Sequence, residues 1–242
     1  RALMFDYYTS SHEGVYAKMP LSKIPKDTLI DLPALFEYPN NIYVAITEAA
    51  LVDYAGMYLS KGADNIIKSK LSPWRTDTTI KVQSALPHKS PWRVLLISDK
   101  IGDLIESNII TSLNEPCKIE NTGWIKPGKT TFPWWNGNVV PDTINAPGNN
   151  FVTQQYYIDF CARNNIQYHS VVEYGLHQWY VDDGANFQPG PNADVTKPVP
   201  GLDMKEVCDY AHSKNVDVRV WVHWAALYPK LDSAFALFKK WG

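Results

Sequence analysis

Glu173 closes a β-rich run, Ile166 to Glu173, and a carboxylate at a strand end is where a parallel α/β enzyme places acids, bases and ligands. It opens the stretch Glu173-Tyr174-Gly175-Leu176-His177-Gln178-Trp179. His177 could exchange hydrogen bonds with a hydroxylated ligand, and the Trp179 indole could serve as a flat stacking platform. A second run, Val216 to His223, ends on His223-Trp224, two more side chains able to line a pocket. Trp134 and Trp135 are consecutive, so on a strand one would enter the core and the other would reach the pocket. Each also has an ordinary structural reading. Trp179 could be a core tryptophan, His223 a hydrogen-bonded core histidine, and Glu173 a substrate contact or supporting group instead of a reacting one.

The elements that must position these residues fall into two grammars. Residues 1–122 read as β: Ile42-Tyr43-Val44-Ala45-Ile46 and Arg93-Val94-Leu95-Leu96-Ile97 are strand-like, with Pro33, Pro39, Gly56, Gly62, Pro73, Pro87 and Pro91 as punctuation. Short strands between turns predict a sandwich. Residues 123–242 alternate. A helix starts after Asn149-Asn150, carries Tyr157, Ile158, Cys161 and Ala162 on one face, and ends at Asn164-Asn165. A second starts at Asp203 with Glu206 in capping-box position, buries Met204, Val207, Cys208 and Ala211, and closes at Asn215. In the strand that follows, Val216, Val218, Val220 and Val222 share one face and Arg219, Trp221 and His223 the other. A third helix carries Leu231, Ala234, Phe235, Phe238 and Trp241 before Gly242. Alternating helix and strand predicts a parallel sheet. The stretch Tyr174 to Leu202 spans 29 residues, a length that points to a working loop. No Gly-rich phosphate loop follows a strand, which favours the opening of a (β/α)₈ barrel over a dinucleotide fold.

Composition narrows the function classes. A net charge of −2 and the absence of a basic stripe exclude the electrostatic footprint of a nucleic-acid binder. No apolar run approaches the roughly 20 residues of a membrane span. Cys117, Cys161 and Cys208 are too few and too scattered for a disulfide framework or a zinc site. The chain opens Arg1-Ala2-Leu3-Met4, without signal-peptide character and without an initiating Met, as an internal piece of a longer protein would. Its 9 Trp, 14 Tyr and 8 Phe are residue types that stack on the flat C–H faces of sugars.

Several motifs, in order, resemble one family. Ile46-Thr47-Glu48-Ala49, Asp53-Tyr54-Ala55-Gly56-Met57, Pro91-Trp92-Arg93 and Leu113-Asn114-Glu115-Pro116 resemble the sandwich domain of glycoside hydrolase family 97. Trp124-Ile125-Lys126-Pro127-Gly128-Lys129 with Trp134-Trp135 resembles its linker and first barrel strand. Tyr156 to Phe160, then Val172-Glu173-Tyr174-Gly175 and Trp179, resemble the first barrel helix and the strand after it. Where the family carries an Asp-x-Gly-Trp pattern this chain has Glu173-Tyr174-Gly175-Leu176, a departure at Glu173 itself.

The resemblance implies a partial β-supersandwich, residues 1–122, followed by the first strands and helices of a catalytic (β/α)₈ TIM barrel, residues 123–242. It implies an α-glycosidase of Bacteroides-like bacteria, periplasmic or secreted, that removes terminal α-linked glucose or galactose from oligosaccharides with the help of Ca2+. Glu48 would be a calcium ligand lent by the sandwich. Glu173, His177, Trp179, His223, Trp224 and Trp135 would bind substrate. Glycosidases need a pair of carboxylates, and the resemblance places the acid and the base or nucleophile beyond Gly242, so that the isolated chain would be inactive. Asp182-Asp183-Gly184 reads as a turn, with a second calcium site as its alternative. The competing readings are a non-catalytic carbohydrate-binding protein, and another sandwich-plus-barrel α-glycosidase similar to families 31 and 36.

Overall fold

A computed structural model describes residues 4–5, 17–74, 77–141, 148–173, 178–185 and 188–242. The chain divides into two compact units, Arg1–Glu120 and Asn121–Gly242, each considered by itself.

The first unit runs β1 (Met4–Phe5), β2 (Ala17–Lys18), β3 (Leu29–Ile30), β4 (Ala34–Tyr38), β5 (Ile42–Ala49), β6 (Met57–Lys61), β7 (Ile67–Leu71), β8 (Trp92–Ser98), α1 (Ile101–Glu106) and α2 (Ile109–Ser112). One antiparallel sheet has the order β2-β1-β4-β5-β8 and a second the order β3-β6-β7. Ala34 and Phe36 from the first sheet and Ile30, Met57 and Leu59 from the second bury one shared core, with Val44 and Ile46 packed against it. Two sheets joined through their inner faces make a sandwich. The opposite face of β5 and β8, through Ala45, Ala49, Val94 and Leu96, is covered by Leu104, Ile110 and Leu113. Those residues sit on or beside α1 and α2, two short helices in a half whose sequence reads as β throughout.

The second unit runs β9 (Thr130–Thr131), α3 (Phe151–Arg163), β10 (Tyr168–Val171), β11 (Tyr180–Val181), β12 (Asp194–Pro198), α4 (Met204–Ser213), β13 (Asp217–Val220), α5 (Trp224–Leu227) and α6 (Leu231–Trp241). β10 is parallel to β9 on one side and to β13 on the other, pairing Tyr168 with Thr130 and Asp217. The three strands therefore lie side by side in chain order. Ile158 and Cys161 of α3, Val207 and Ala211 of α4, and Ala234 of α6 share one core with Val171 of β10 and Val216, while Val218 and Val220 of β13 pack against it. All three helices cover the same face of the sheet, the winding of an opening barrel and not of a two-faced dinucleotide fold.

Local chemistry explains the boundaries. The Asn150 side chain accepts the Thr153 N–H (2.9 Å) and starts α3, while Asn165 leaves it with a left-handed φ of 53°. Asp203 accepts the N–H groups of Lys205 and Glu206 at the head of α4, and Asn215 leaves it at φ 58°. The strands are shorter than the β-rich runs predict: β10 stops at Val171 and β13 at Val220, its register partner. His223 is consequently not at a strand end. It caps α5, and Trp224 is the first residue of that helix. The stretch from Tyr174 to Leu202 is not an open loop either. β11 and β12 form a two-stranded ribbon within it, bringing Trp179, Tyr180 and Val195 into the core.

Candidate functional site

In the first unit two separated motifs meet Glu48, itself on β5, and a third reaches Ala50 just beyond it. Glu48 Oε1 accepts the Met57 N–H (3.0 Å), and its Oε2 is paired with Arg93, directly opposite on β8. The carboxylate is largely covered, its side chain 12% exposed. Beyond β5 the backbone turns through Ala50, held at a left-handed φ of 53°, whose N–H is taken by the Asn114 side chain (3.0 Å). Such a conformation costs a residue with a Cβ free energy and persists only where its surroundings enforce it. Here Asn114 does so, and it also donates to the Ile110 carbonyl (2.6 Å).

Calcium takes about six to eight oxygen ligands. Among the described residues no group of three or more His, Cys, Asp or Glu side chains could hold a metal ion. Glu48 fits as one hard oxygen donor, which such an ion would share with Arg93 and the Met57 N–H.

In the second unit the C-terminal ends of the parallel strands carry Glu173. It is buried (8% exposed), and both carboxylate oxygens are taken: Oε1 by the Trp134 indole N–H (2.6 Å) and Oε2 by the Gln178 amide (3.0 Å). Trp134 and Trp135 are not on a strand. They lie in a 3₁₀ turn, Pro133–Asn136, that follows β9 and closes on Gly137 in the left-handed conformation, φ 67°. Neither enters the core, because a single tight turn on the rim projects both rings outward: Trp134 is 38% and Trp135 78% exposed, edge to face at 5.6 Å. Asn136 donates to the Tyr157 hydroxyl on α3 (3.0 Å). Trp135 and Asn136 line a groove of about 360 Å³ with Val139, Tyr156 and Phe160.

Trp179 corrects its expected role. Its ring has no exposed surface; it packs on Tyr180, Phe238 and Trp241 and donates to the Trp221 carbonyl (2.7 Å), leaving no face for a sugar. The apolar face of α6 captures it, so the core reading holds. His177 lies outside the described residues. His223 Nδ1 accepts the Ala225 N–H (3.1 Å), its own N–H meets the Tyr180 hydroxyl (3.4 Å), and its ring stacks on the 60% exposed Trp224. Burial pushes the Tyr180 phenol up to about 12. Asp182 and Asp183 are turn residues: Asp182 accepts from Gly184 and Gly190, Asp183 from Asn192.

Three groups escape the sequence reading. On the face away from the helices, Thr130 and Ser170 meet hydroxyl to hydroxyl (2.9 Å), and the Arg219 guanidinium donates to Ser170 (3.4 Å) while lying over the Phe132 ring. On the helix face, His169 is fully buried between Thr131 Oγ1 (2.8 Å) and Gln154 Oε1 (2.7 Å), stacked on Tyr157, and burial holds its pKa down at about 3. Asp194, on β12, is also buried, which opposes ionisation, yet Lys230, Thr196 and Lys197 together hold its carboxyl well below the usual range. A lone Arg among valines is the one visible signal for the first group. The histidine and aspartate carry none.

Comparison with known proteins places the whole arrangement. The sequence model described as Glycosyl-hydrolase 97 N-terminal matches residues 2–116, and that of Glycoside hydrolase 97 matches residues 134–242. The chain belongs to glycoside hydrolase family 97. A retaining alpha-galactosidase of Bacteroides thetaiotaomicron is 30% identical over 253 residues, 97% of this chain and 36% of the relative. A probable retaining alpha-galactosidase of Streptomyces bingchenggensis is 26% identical, over 89% of this chain and 31% of that one. A family 97 enzyme from a Pseudoalteromonas species, solved with acarbose, superposes with a TM-score of 0.76 at 29% identity, covering 99% of this chain and 35% of its own. A beta-arabinopyranosidase shares the fold, with a TM-score of 0.63 at 18% identity. This family 97 chain thus spans about a third of the length of these relatives, as an N-terminal sandwich and the start of a barrel.

Proposed function

We propose that the full-length protein is a retaining α-galactosidase that removes terminal α-linked galactose from oligosaccharides, with the rest of a (β/α)₈ barrel supplying its reacting carboxylates. The observation that carries this is the 30% identity to a retaining alpha-galactosidase, sustained over 97% of the chain and through both units. The second unit supports it. Glu173 and Asp194, its buried carboxylates among the described residues, are both committed to protein partners. The pair that a retaining glycosidase sets about 5–5.5 Å apart would then come from the part of the relatives' length this chain does not span. Trp135 and Trp224, both exposed, and the half-buried His223 remain the substrate contacts of choice, in the segments that follow β9 and β13, whereas Glu173 supports the rim.

Glu48 would give a calcium ion one carboxylate, the other ligands coming from outside the described residues, and the ion would supply a fixed positive charge. A periplasmic or secreted location belongs to the same proposal. The test is hydrolysis of nitrophenyl α-galactoside and nitrophenyl α-glucoside by the full-length protein, with and without a chelator. Faster turnover of the galactoside, lost on chelation and restored by calcium, is the expected result. Preference for the glucoside would reassign the sugar, as would fit the family 97 structures solved with acarbose and panose. Activity indifferent to chelation would remove the calcium.

A further inference from the structure

Glu173 stands where a catalytic carboxylate would stand, yet its surroundings give it different work. Both oxygens are occupied by neutral donors from two different rim segments, the Trp134 indole on the turn after β9 and the Gln178 amide beyond β10. Asn138, buried in the same turn, reaches the Glu173 backbone carbonyl (3.5 Å). Two such bonds and 8% exposure tie the carboxylate to the rim and leave it little access to solvent. What it does hold is the Pro133–Asn136 turn, and Trp134 passes that constraint on through its edge-to-face contact with Trp135. Trp135, 78% exposed, is the large aromatic face this turn presents to the groove it lines with Asn136, Tyr156 and Phe160. The groove, about 360 Å³, has the size of a small-ligand site and combines aromatic faces with an amide, the chemistry that takes a sugar ring.

We propose that Glu173 is a positioning residue. Through Trp134 it fixes the indole of Trp135 as a stacking surface for a saccharide unit of the substrate. This rests on the α-glycosidase reading above and adds to it a residue that sets affinity and not the chemical step.

The experiment uses the full-length protein and compares Glu173→Gln, Glu173→Ala, Trp134→Phe, Trp135→Ala and the Glu173→Ala/Trp134→Phe double variant, with near-ultraviolet circular dichroism as the check on folding. Kinetics are read on an oligosaccharide ending in α-galactose. Trp135→Ala and Glu173→Ala should each raise KM roughly tenfold with kcat within about threefold, the scale of one lost stacking or charge-assisted contact. Glu173→Gln keeps an acceptor for the Trp134 N–H and should recover most of the loss. Trp134→Phe removes the N–H together with part of the ring, and the double variant should cost clearly less than the sum of the two single losses. Additive losses would overturn the route through Trp134. A fall of about a hundredfold or more in kcat of Glu173→Gln, with one limb of the pH profile lost, would make Glu173 a reacting group and overturn the proposal. If the parent protein hydrolyses neither α-galactoside nor α-glucoside, the enzymatic reading fails. The positioning claim is then read from saccharide binding by calorimetry, where equal affinity of parent and Trp135→Ala would overturn it.

Discussion

His169 makes the second unit sensitive to acid, and the size of the effect follows from its surroundings. The ring lies wholly inside the unit, between Thr131 and Gln154 and flat against Tyr157. These neighbours are uncharged, so nothing there compensates a proton, and burial takes the pKa from 6.5 to about 3. A lowered folded-state pKa means the unfolded chain binds the proton first. The stabilisation is therefore complete above about pH 6.5 and declines as the pH falls toward 3. At about 1.4 kcal/mol per unit the full effect is roughly 5 kcal/mol, and about half of it is lost between pH 7 and 4.5. The assay is urea unfolding followed by tryptophan fluorescence at both pH values, for the parent and for His169→Gln, which cannot titrate. The parent should lose roughly 2–3 kcal/mol more than the variant over that interval, the other titrating groups cancelling in the difference. Equal losses would refute the buried neutral histidine.

Other residues give equally direct expectations. Trp179→Ala should destabilise the second unit by about 3–5 kcal/mol, as loss of a core aromatic does, whereas Trp135→Ala should leave its melting temperature nearly unchanged; a reversed order would return Trp179 to the pocket. Gly184→Ala should disrupt the ribbon of β11 and β12, because a Cβ there would sit 2.0 Å from the Gln188 carbonyl oxygen, and limited proteolysis within residues 182–194 should accelerate. Asp194→Asn should weaken the anchoring of Lys230. Since the Asp194 carboxyl is held well below its ordinary value of 3.8, the parent's advantage should be full near pH 7 and begin to shrink as the pH falls below about 4, so that unfolding of both proteins at pH 7 and pH 2 gives a smaller difference at pH 2.

Much of the scaffold is legible in local sequence patterns. Asn150 and Asp203 announce their helices through short-range hydrogen bonds, and the alternation of Val216, Val218 and Val220 announces one buried strand face. The motifs around Glu48 are visible separately. That they meet is a matter of register, Glu48 opposite Arg93 on β8, which no local pattern encodes. Glu173 sits at the rim of the parallel strands, as its place in a β-rich run implies, but its partner Trp134 lies 39 residues away, so nothing nearby in the chain reveals that its oxygens are occupied. Trp179 misleads because a tryptophan in a long loop looks free until the ribbon of β11 and β12 and the apolar side of α6 close over it. α1 and α2 escape notice because two short helices resting on a sheet share the apolar residues of the β pattern around them.

The measurement closest to the central claim is proton NMR of the full-length protein acting on an oligosaccharide ending in α-linked galactose, recorded in the first minutes before the product mutarotates. The proposed retaining α-galactosidase activity predicts release of galactose with the α-anomer appearing first. No release of galactose, or the β-anomer appearing first, would contradict the account.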